Sequence, residues 1–365
     1  MKFTIERNTL LTGLQSIIGV VERRQTMPIL SHVLLDLAGD QLILAGTDME
    51  IEMRCRVPVL SGDEGKTTVP ARKLHDICRG LPEGVEINFK ADDKQMVVTC
   101  GRSRYRLAML PADEFPEQGV LESAAEVSLE STRLATIIGK TSFAMGATDV
   151  RSYLNGLLLE LAPDRVRAVA TDGHRLALCD SLCEVSVTDK SSYIIPNKAV
   201  QGLTGLLEAN ETVIVRLTDI AIQVVSGHLR MTSKLLSGRY PDYERVIPAE
   251  SKGVVTGDRD EFRAALARSA ILANEKFRGV RLNISSAEMG LSSHNAEQEE
   301  SDDAIEVEYT GNEMCIGFNL GYLGDALSAM AGSKFEMMVT NPDTSCVLRE
   351  PGNTLMTMVV MPMRL

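Results

Sequence analysis

The chain repeats itself at a period of about 124 residues, and this repetition constrains the fold more than any other feature. The segment 29–48, ILSHVLLDLAGDQLILAGTD, returns at 153–172 as YLNGLLLELAPDRVRAVATD in the same register, with Asp48 matched by Asp172. A third, more divergent copy at 277–295 reads FRGVRLNISSAEMGLSSHN. The sequence therefore predicts three similar structural units along one chain.

A helical segment follows this strand pair in every copy. It reads TVPARKLHDICRGL at 68–81, YIIPNKAVQGLTGLL at 193–207 and IGFNLGYLGDALSAM at 316–330. Apolar residues recur in it at i, i+3 and i+7, which indicates one buried face of a helix. A second helix opens each unit, because FTIERNTLLTGLQSIIGVV, VSLESTRLATIIGKTSFAM and VTGDRDEFRAALARSAILAN each read as a short strand, a polar cap and an amphipathic helix.

The joints between units are marked by proline and glycine. LPADEFPE at 110–117 and LLSGRYPDYE at 235–244 each precede a new strand, which places the joints near residues 120 and 248. We therefore expect three domains, and their predicted bounds are 1–121, 122–248 and 249–365.

Between the helices the pattern is that of half-buried strands. Apolar residues from Met49 to Val57 alternate with Glu50, Glu52, Arg54 and Arg56, and the same period of two recurs from Ile305 to Tyr309. Each unit is thus predicted to be α+β, with two helices packed on antiparallel sheet.

Composition excludes some functional classes. The 365 residues carry a net charge of −12, which argues against a protein that coats DNA by neutralising phosphates. Seven cysteines are scattered without metal-knuckle spacing, and we expect them to be buried, reduced thiols. No apolar run approaches the roughly 20 residues that span a bilayer, and MKFTIERNTLL lacks the features of a signal peptide, so we expect a cytoplasmic protein.

One segment resembles a catalytic loop. In Thr171-Asp172-Gly173-His174-Arg175, Asp172 could orient His174 as a general base. The alternative is a simple turn, because Asp and Gly are turn formers and the Thr-Asp pair also occurs at 47–48 without a histidine. We favour the turn, with His174 and Arg175 contacting a partner. No phosphate-binding loop or nucleophile elbow occurs, so neither a cofactor nor an enzyme is predicted.

Two oppositely charged segments lie far apart in the chain. The run 297–303 is rich in Glu and Asp but lacks the glycine and spacing of a calcium loop, so a charged surface is favoured over a metal site. In the stretch 102–107, three arginines alternate with Tyr105 and Leu107. Two unrelated, solvent-exposed stretches would show the same charge pattern in the sequence. A basic strand in the first unit and an acidic segment in the last nevertheless suit a head-to-tail contact, which closes rings.

Positive charge is concentrated in the predicted helices. Six candidate helices carry 13 Lys or Arg against 7 Asp or Glu, a charge of +6, so the remaining residues carry −18; their ranges are 9–25, 71–80, 131–146, 197–210, 259–277 and 319–334. Helices also tolerate Lys and Arg well for intrinsic reasons. The functional interpretation is a basic helical layer that faces phosphates on an otherwise acidic protein.

The chain resembles a known family, the bacterial sliding clamp or beta subunit of DNA polymerase III, along its entire length. The stretches that carry the resemblance are TVPARKLHDICRGLPEG, DVRSYLNG, VATDGHRLALC, TSKLLSGRYPDYERVIP, AILANEKFRGVRL, NAEQEE and VVMPMRL. The resemblance implies a homodimeric ring of six similar domains, with helices lining a hole through which duplex DNA passes. It also implies partners, namely the replicative polymerase, a clamp loader and repair proteins, which bind through short linear peptide motifs.

The resemblance further implies three groups of site residues. The dimer contact would bring Lys73, Arg102, Arg104 and Tyr105 against Ile271, Leu272, Phe277, Glu297, Glu299 and Glu300 of a second chain. The peptide pocket would be lined by Leu154, Thr171, Gly173, His174, Arg175, Leu176, Pro241, Arg245, Val246, Ser345, Val359, Met361, Pro362 and Met363. DNA would be approached by Arg24, Arg79 and Tyr153. Ser152 stands where some relatives have a second aromatic residue, so contacts with single-stranded template should be weaker.

Two rival functions stay open on the sequence alone. A hydrolase or transferase at the 172–174 loop would lose turnover with His174→Ala, whereas a peptide-binding loop would lose only affinity. A repeat scaffold that binds proteins without encircling DNA would be lost equally from circular and linear DNA, whereas a clamp would stay on nicked circular DNA and leave after linearisation.

Overall fold

The computed structural model describes residues 1–22, 27–119, 121–122, 125–207 and 212–364. Within these residues the element order is strand, helix, four strands, helix, three strands, and this order occurs three times. The first copy has one additional three-residue strand. The repeat predicted from the sequence is therefore visible in the order of the elements.

The elements have the following bounds. The first copy comprises β1 (Lys2–Glu6), α1 (Arg7–Ile17), β2 (His32–Ala38), β3 (Gln41–Thr47), β4 (Ile51–Pro58), β5 (Ser61–Asp63), β6 (Gly65–Pro70), α2 (Ala71–Gly80), β7 (Glu86–Asp92), β8 (Gln95–Cys100) and β9 (Ser103–Ala108). The second comprises β10 (Ala125–Glu130), α3 (Ser131–Gly139), β11 (Gly156–Ala162), β12 (Arg165–Thr171), β13 (Arg175–Leu182), β14 (Ser191–Pro196), α4 (Asn197–Leu206), β15 (Thr212–Leu217), β16 (Ala221–Ser226) and β17 (Leu229–Lys234). The third comprises β18 (Gly253–Asp258), α5 (Arg259–Ser269), β19 (Gly279–Ile284), β20 (Glu288–His294), β21 (Glu300–Tyr309), β22 (Met314–Asn319), α6 (Leu320–Ala329), β23 (Lys334–Val339), β24 (Cys346–Arg349) and β25 (Met356–Val360).

The chain divides into two compact units, and the second copy contributes to both. The first unit contains 1–135 and 198–235, and the second contains 136–197 and 236–365. In each unit, strands of neighbouring copies hydrogen-bond to one another, which explains why the compact units do not coincide with the sequence repeats.

The first unit contains two antiparallel sheets. One has the order β5-β1-β7-β8-β9, and the other has the order β10-β15-β16-β17-β4-β3-β2-β6. The first and second copies meet where β17 pairs with β4, with Arg230 opposite Arg54. Helices α1 and α2 pack on each other and bury Leu14 and Leu74 completely. The predicted α+β layering is present in this unit.

The second unit is built on one sheet of twelve strands. Its order is β14-β11-β12-β13-β25-β24-β23-β18-β21-β20-β19-β22. The second and third copies meet where β13 pairs with β25, with Leu176 opposite Val359. Helices α5 and α6 pack together, with Phe262 and Leu323 fully buried.

Five of the six helices described are shorter than the sequence predicted, whereas α2 has the predicted bounds 71–80. Helix α1 begins at Arg7 and ends at Ile17, although the pattern extended it to residue 25, and α3 ends at Gly139 where residue 146 was expected. The pattern overestimated the helix length because buried apolar residues continue beyond the helix end. Val20 and Val21, for example, are buried in the turn that follows α1. The six observed helices carry nine Lys or Arg against four Asp or Glu, a net charge of +5, so they remain basic.

The alternating strands are confirmed with two corrections. In β21, Ile305, Val307 and Tyr309 are buried between exposed glutamates. In the first copy, β4 starts at Ile51 because Met49 belongs to a turn with a φ of 79°. Glu52, expected to face solvent, is only 1% exposed because the segment after Phe115 covers it.

The cysteines only partly match their expected burial. None of the seven forms a disulfide, and Cys55, Cys78, Cys100, Cys179 and Cys346 are buried. Cys183 is half-buried and Cys315 is exposed, which corrects the expectation that all seven are buried. No helix among the described residues has the length and apolar character needed to cross a membrane.

Candidate functional site: an apolar cavity beside a hairpin turn

The turn between β12 and β13 is fixed by its own side chains. Thr171 Oγ1 donates to Arg175 O at 2.6 Å and accepts from Gly173 N at 3.1 Å. Asp172 Oδ1 accepts from the backbone amides of His174 and Arg175 at 2.9 and 3.0 Å. Such short polar side chains satisfy backbone donors within a turn. Gly173 takes a φ of 87°, a conformation that glycine adopts without steric cost.

The same contacts argue against a catalytic pair of Asp172 and His174. The Asp172 carboxylate accepts two backbone amides, and its Oδ2 accepts from Arg175 Nε at 3.1 Å. The His174 ring stacks on Tyr322, with ring centroids 6.3 Å apart and planes inclined by 17°. The loop is therefore organised as a turn and not as an oriented general base.

Arg175 holds the turn against helix α6. Its guanidinium lies 4.6 Å from the centroid of the Tyr322 ring and also pairs with the Asp325 carboxylate. The same group lies 5.5 Å from the Phe143 ring centroid. Planar guanidinium groups combine such stacking with forked hydrogen bonding, so Arg175 is fixed on several sides.

Apolar strand residues form the floor beside this turn. Leu158, Val169, Leu176 and Val359 are buried in one cluster with Tyr243. The Tyr243 hydroxyl donates to Glu160 Oε2 at 2.6 Å. Burial raises the pKa of this phenol, and the hydrogen bond to Glu160 raises it further. A neutral, hydrogen-bonded tyrosine gives the floor a rigid edge.

A cavity of about 220 Å³ opens at this floor. Nine of the fourteen predicted pocket residues line it, namely Leu154, Thr171, Gly173, Arg175, Leu176, Pro241, Val246, Val359 and Met361. Two further lining residues, Arg151 and Tyr243, were not predicted. Residues more than 200 positions apart thus converge on one apolar site.

The other five predicted pocket residues lie outside this cavity. His174 stacks on Tyr322, and Arg245 is exposed and pairs with Asp242 at 2.7 Å. Ser345 is half-buried just before β24. Pro362 is half-buried, and Met363 donates its backbone N–H to Gly317 O at 2.8 Å and lines a separate cavity of about 370 Å³ with Phe277.

Arg151 forms part of the cavity wall because Asp149 holds it. Arg151 Nε and Nη2 donate to the two oxygens of the Asp149 carboxylate at 2.9 and 2.8 Å. These bonds, together with the Arg151 backbone N–H, lower the pKa of Asp149 to about 2. A Cβ built on Gly173 would lie 3.2 Å from Arg151 Nη2, so the glycine leaves room for this guanidinium. The spacing Asp-x-Arg was the available sequence signal for Arg151.

The residues predicted for the dimer contact fall in both units. In the first unit Lys73, Arg102 and Arg104 are exposed, and Tyr105 is half-buried on the edge strand β9. In the second unit Ile271 is 77% exposed and Phe277 is 56% exposed, while Leu272 is half-buried. Ile271 and Phe277 lie six residues apart and are both exposed, as the predicted contact requires.

The acidic segment begins in a turn and continues into the first residues of β21. Asn295 Oδ1 accepts from the backbone amides of Glu297 and Glu299 at 3.1 and 2.9 Å. The side chains of Glu297, Glu299 and Glu300 are exposed. Further along, Asp303 accepts from Arg268 Nε at 2.6 Å, a bond that lowers the pKa of this carboxyl.

The residues predicted to approach DNA have different environments. Arg79 lies in the last turn of α2, is exposed, and sits 3.7 Å from the Asp76 carboxylate. Tyr153 is half-buried in a short 3-10 helix and packs against the apolar cluster under the cavity. Arg24 lies outside the described residues.

The threefold α+β repeat and the apolar cavity beside the 171–175 turn define a repeat-built protein with a candidate binding site for an apolar group. Matches to family profiles make this class more specific. Those for the N-terminal, central and C-terminal domains of the DNA polymerase III beta subunit match residues 1–119, 128–242 and 244–364. The chain belongs to the DNA polymerase III beta subunit family.

Relatives match the whole chain. The beta sliding clamp of Pseudomonas putida is 44% identical, with 100% of both sequences covered. Crystal structures of the Pseudomonas aeruginosa beta subunit, one of them bound to griselimycin, superpose with a TM-score of 0.97 at 42 and 43% identity, again over 100% of both chains. The chain has the clamp fold and acts as a non-catalytic sliding clamp that confers processivity on the replicative polymerase.

Proposed function

We propose that two copies of this chain close head to tail into a ring around duplex DNA and present the apolar cavity to peptide motifs of the polymerase, the clamp loader and repair proteins. Each copy would contribute three domains, 1–121, 122–248 and 249–365, to a ring of six. Free thiols and the bacterial replication setting of the relatives favour the cytoplasm as its location.

The observation that carries ring closure is a pair of open strand edges. In the described part of the chain, β9 pairs on one side only, with β8. Residues 300–306 of β21 pair with β20, whereas β18 pairs only with 307–309, so the earlier half of β21 has an open edge. Open edges invite pairing with another chain, and a contact between two different surfaces generates rings.

Charge and apolar area reinforce this contact. β9 and the turn before it present exposed arginines, and the segment leading into β21 presents exposed glutamates. Exposed ion pairs contribute about 0–1 kcal/mol each, whereas burying a Phe or Ile side chain contributes about 1.5–3 kcal/mol. Phe277 and Ile271 should therefore supply more dimer affinity than the ion pairs, which would set the register.

The cavity suits a peptide better than a small metabolite. Its volume of about 220 Å³ lies below the roughly 300–1,000 Å³ of small-molecule sites. Leu, Val and Met side chains in its wall adapt to different apolar residues, which allows several partners to compete for one site. Arg175 and Arg151 stand at its margin and would donate hydrogen bonds to backbone carbonyls or acidic side chains of the peptide.

DNA would be held mainly by enclosure. Helices with a net charge of +5 on a chain of charge −12 provide a modest attraction for phosphates without base recognition. Exposed Arg79 fits this role, and we keep Arg24 and Tyr153 as predicted contacts.

The deciding experiment compares circular and linear DNA. Loaded with a clamp loader, the chain should stay on nicked circular DNA and leave after linearisation. Phe277→Asp combined with Ile271→Asp should convert the dimer to a monomer in sedimentation and abolish retention. Ile220→Asp is the matched control, because Ile220 is 76% exposed but lies outside the proposed contact. Equal retention on circular and linear DNA would refute enclosure.

A further inference from the structure

A cavity on the eight-stranded sheet of the first unit is lined by cationic side chains. Its volume is about 270 Å³. Its lining includes Arg54, Arg56, Arg216, Arg230 and His228, and none of the described residues that line it is acidic. On a chain of charge −12, four arginines at one small cavity require an explanation.

Strand register brings two of these arginines directly opposite each other. Arg230 on β17 faces Arg54 on β4, and like charges at opposed positions destabilise a sheet. Buried Glu52 compensates Arg54, whose Nε and Nη2 donate to the Glu52 oxygens at 2.7 and 3.0 Å. Arg54 also donates to Glu117 Oε2 at 2.9 Å, so its charge is fully matched.

Arg230 is not matched in the same way. Its Nε is buried without a hydrogen-bond partner in the described part of the chain. Its Nη2 lies 3.4 Å from Gln118 O and 3.8 Å from Glu52 Oε1, which is already bound by Arg54. Burial lowers the pKa of Arg230, and the positive charges of Arg54 and Arg56 lower it further. The negative charge of Glu52 raises this pKa but does not cancel the other effects.

The neighbouring carboxylates are used elsewhere. Glu117 binds Lys66 as well as Arg54, and Glu126 accepts from Arg216 Nε at 2.7 Å. The exposed side chains of Arg56 and His228 make no hydrogen bond or ion pair with any described residue. Glu52 and Glu117 therefore engage Arg54, and Glu126 engages Arg216, which leaves Arg56, Arg230 and His228 as the cations without a full partner at the cavity.

We propose that this cavity is a binding site for a phosphate-type oxyanion, held by Arg56, Arg230 and His228. Phosphate oxygens match the forked donors of arginine, and the buried Arg230 Nε would gain its missing acceptor. A cavity of about 270 Å³ has room for one or two phosphate groups. The phosphate could come from a free anion or from a nucleic-acid backbone. This site is independent of the peptide cavity and of ring closure.

The test is calorimetric titration of the intact protein, without DNA or loader, at constant ionic strength adjusted with NaCl. Pyrophosphate and inorganic phosphate represent the free anion, and a thymidine dodecamer represents the nucleic-acid backbone. Saturable binding of one pyrophosphate per chain is expected. Saturation by the dodecamer alone would assign the phosphate to nucleic acid, and absence of saturable binding by all three probes overturns the proposal.

A matched pair of variants locates the site. Arg56→Gln combined with His228→Gln changes two exposed side chains, so folding should be intact, and affinity should fall at least about tenfold. Lys90→Gln removes an exposed positive charge from the same unit outside the cavity, and it should change affinity less than about twofold. Equal affinities of the double variant and the wild-type protein would overturn the assignment to this cavity.

Discussion

The hairpin turns at 47–51 and 171–175 are two copies of one structure with different surroundings. Thr47 Oγ1 donates to Ile51 O at 2.8 Å, and Thr171 Oγ1 donates to Arg175 O at 2.6 Å. Asp48 accepts the backbone amides of Glu50 and Ile51, as Asp172 accepts those of His174 and Arg175. Even the left-handed position is shared, because Met49 has a φ of 79° and Gly173 one of 87°.

The side chains around the two turns differ. Asp48 is paired with Lys198 of α4, which also binds Glu22 at 2.6 Å, so the first turn anchors a helix of the second copy. Asp172 is paired with Arg175, and Gly173 stands beside the Arg151 guanidinium at the cavity. The local turn is thus the same, and the surrounding elements decide whether it packs against a helix or borders a cavity.

Exchanging the residues at the left-handed position should have the largest effect. Gly173→Met places a side chain against Arg151 and into the cavity, in a backbone conformation that costs a non-glycine residue about 1–2 kcal/mol. We expect affinity for a fluorescent partner peptide to fall by about thirtyfold or more.

In the same binding assay, Gly173→Ala separates the effect of backbone strain at position 173 from the effect of filling the cavity. It carries the backbone cost but fills little of the cavity, so peptide affinity should fall much less. If Gly173→Met binds peptide as tightly as the wild-type protein, the cavity is not the peptide site.

Removing the partner of Asp48 should have an intermediate effect. Lys198→Met leaves a largely buried carboxylate without its cation, and we expect a loss of about 1–2 kcal/mol in the free energy of unfolding. Lys234→Met is the control, because Lys234 and Glu50 form an exposed pair that should contribute less than about 0.5 kcal/mol. Urea denaturation measures both, and equal losses would show that the Asp48 contact is no more important than a surface pair.

This contact also predicts a dependence on pH. Burial alone would raise the pKa of Asp48, but hydrogen bonds from Lys198 and from backbone amides outweigh burial and lower it. A lowered folded-state pKa gives stability that is present above about pH 4 and is lost as the pH falls through the folded-state value. Lys198→Met should therefore lose less stability than the wild-type protein between pH 5 and pH 3. An identical acid dependence of the two proteins would contradict the assignment.

Relieving strain in the first turn should have the smallest effect. Met49→Gly removes a side chain from a left-handed position at the cost of a more flexible unfolded chain. The net result should be a gain of about 0.5 kcal/mol in thermal or urea unfolding, with peptide affinity unchanged. Any loss of peptide affinity would show that the first turn takes part in binding.

The sequence predicted much of this arrangement and missed particular parts. Thr171, Asp172 and Gly173 were placed in a turn because their hydrogen bonds are local. Tyr243 was missed as a cavity residue because it is held there by a tertiary contact with Glu160. Arg151 is held locally by Asp149, but only the fold brings its guanidinium beside Gly173 at the cavity. His174 was expected in the pocket, but the position of Tyr322 draws its ring to one side.

The sequence by itself determined the threefold repeat, the apolar helix faces, the alternating strands and the hairpin turns, because each depends on residues close together in the chain. Only the tertiary structure decided that β17 pairs with β4 and β13 with β25, since these partners lie more than 170 residues apart. That pairing sets Arg230 against Arg54 in the first unit and brings Leu176 beside Val359 at the cavity in the second. The physical reason is register, because the partner strand decides which side chains become neighbours.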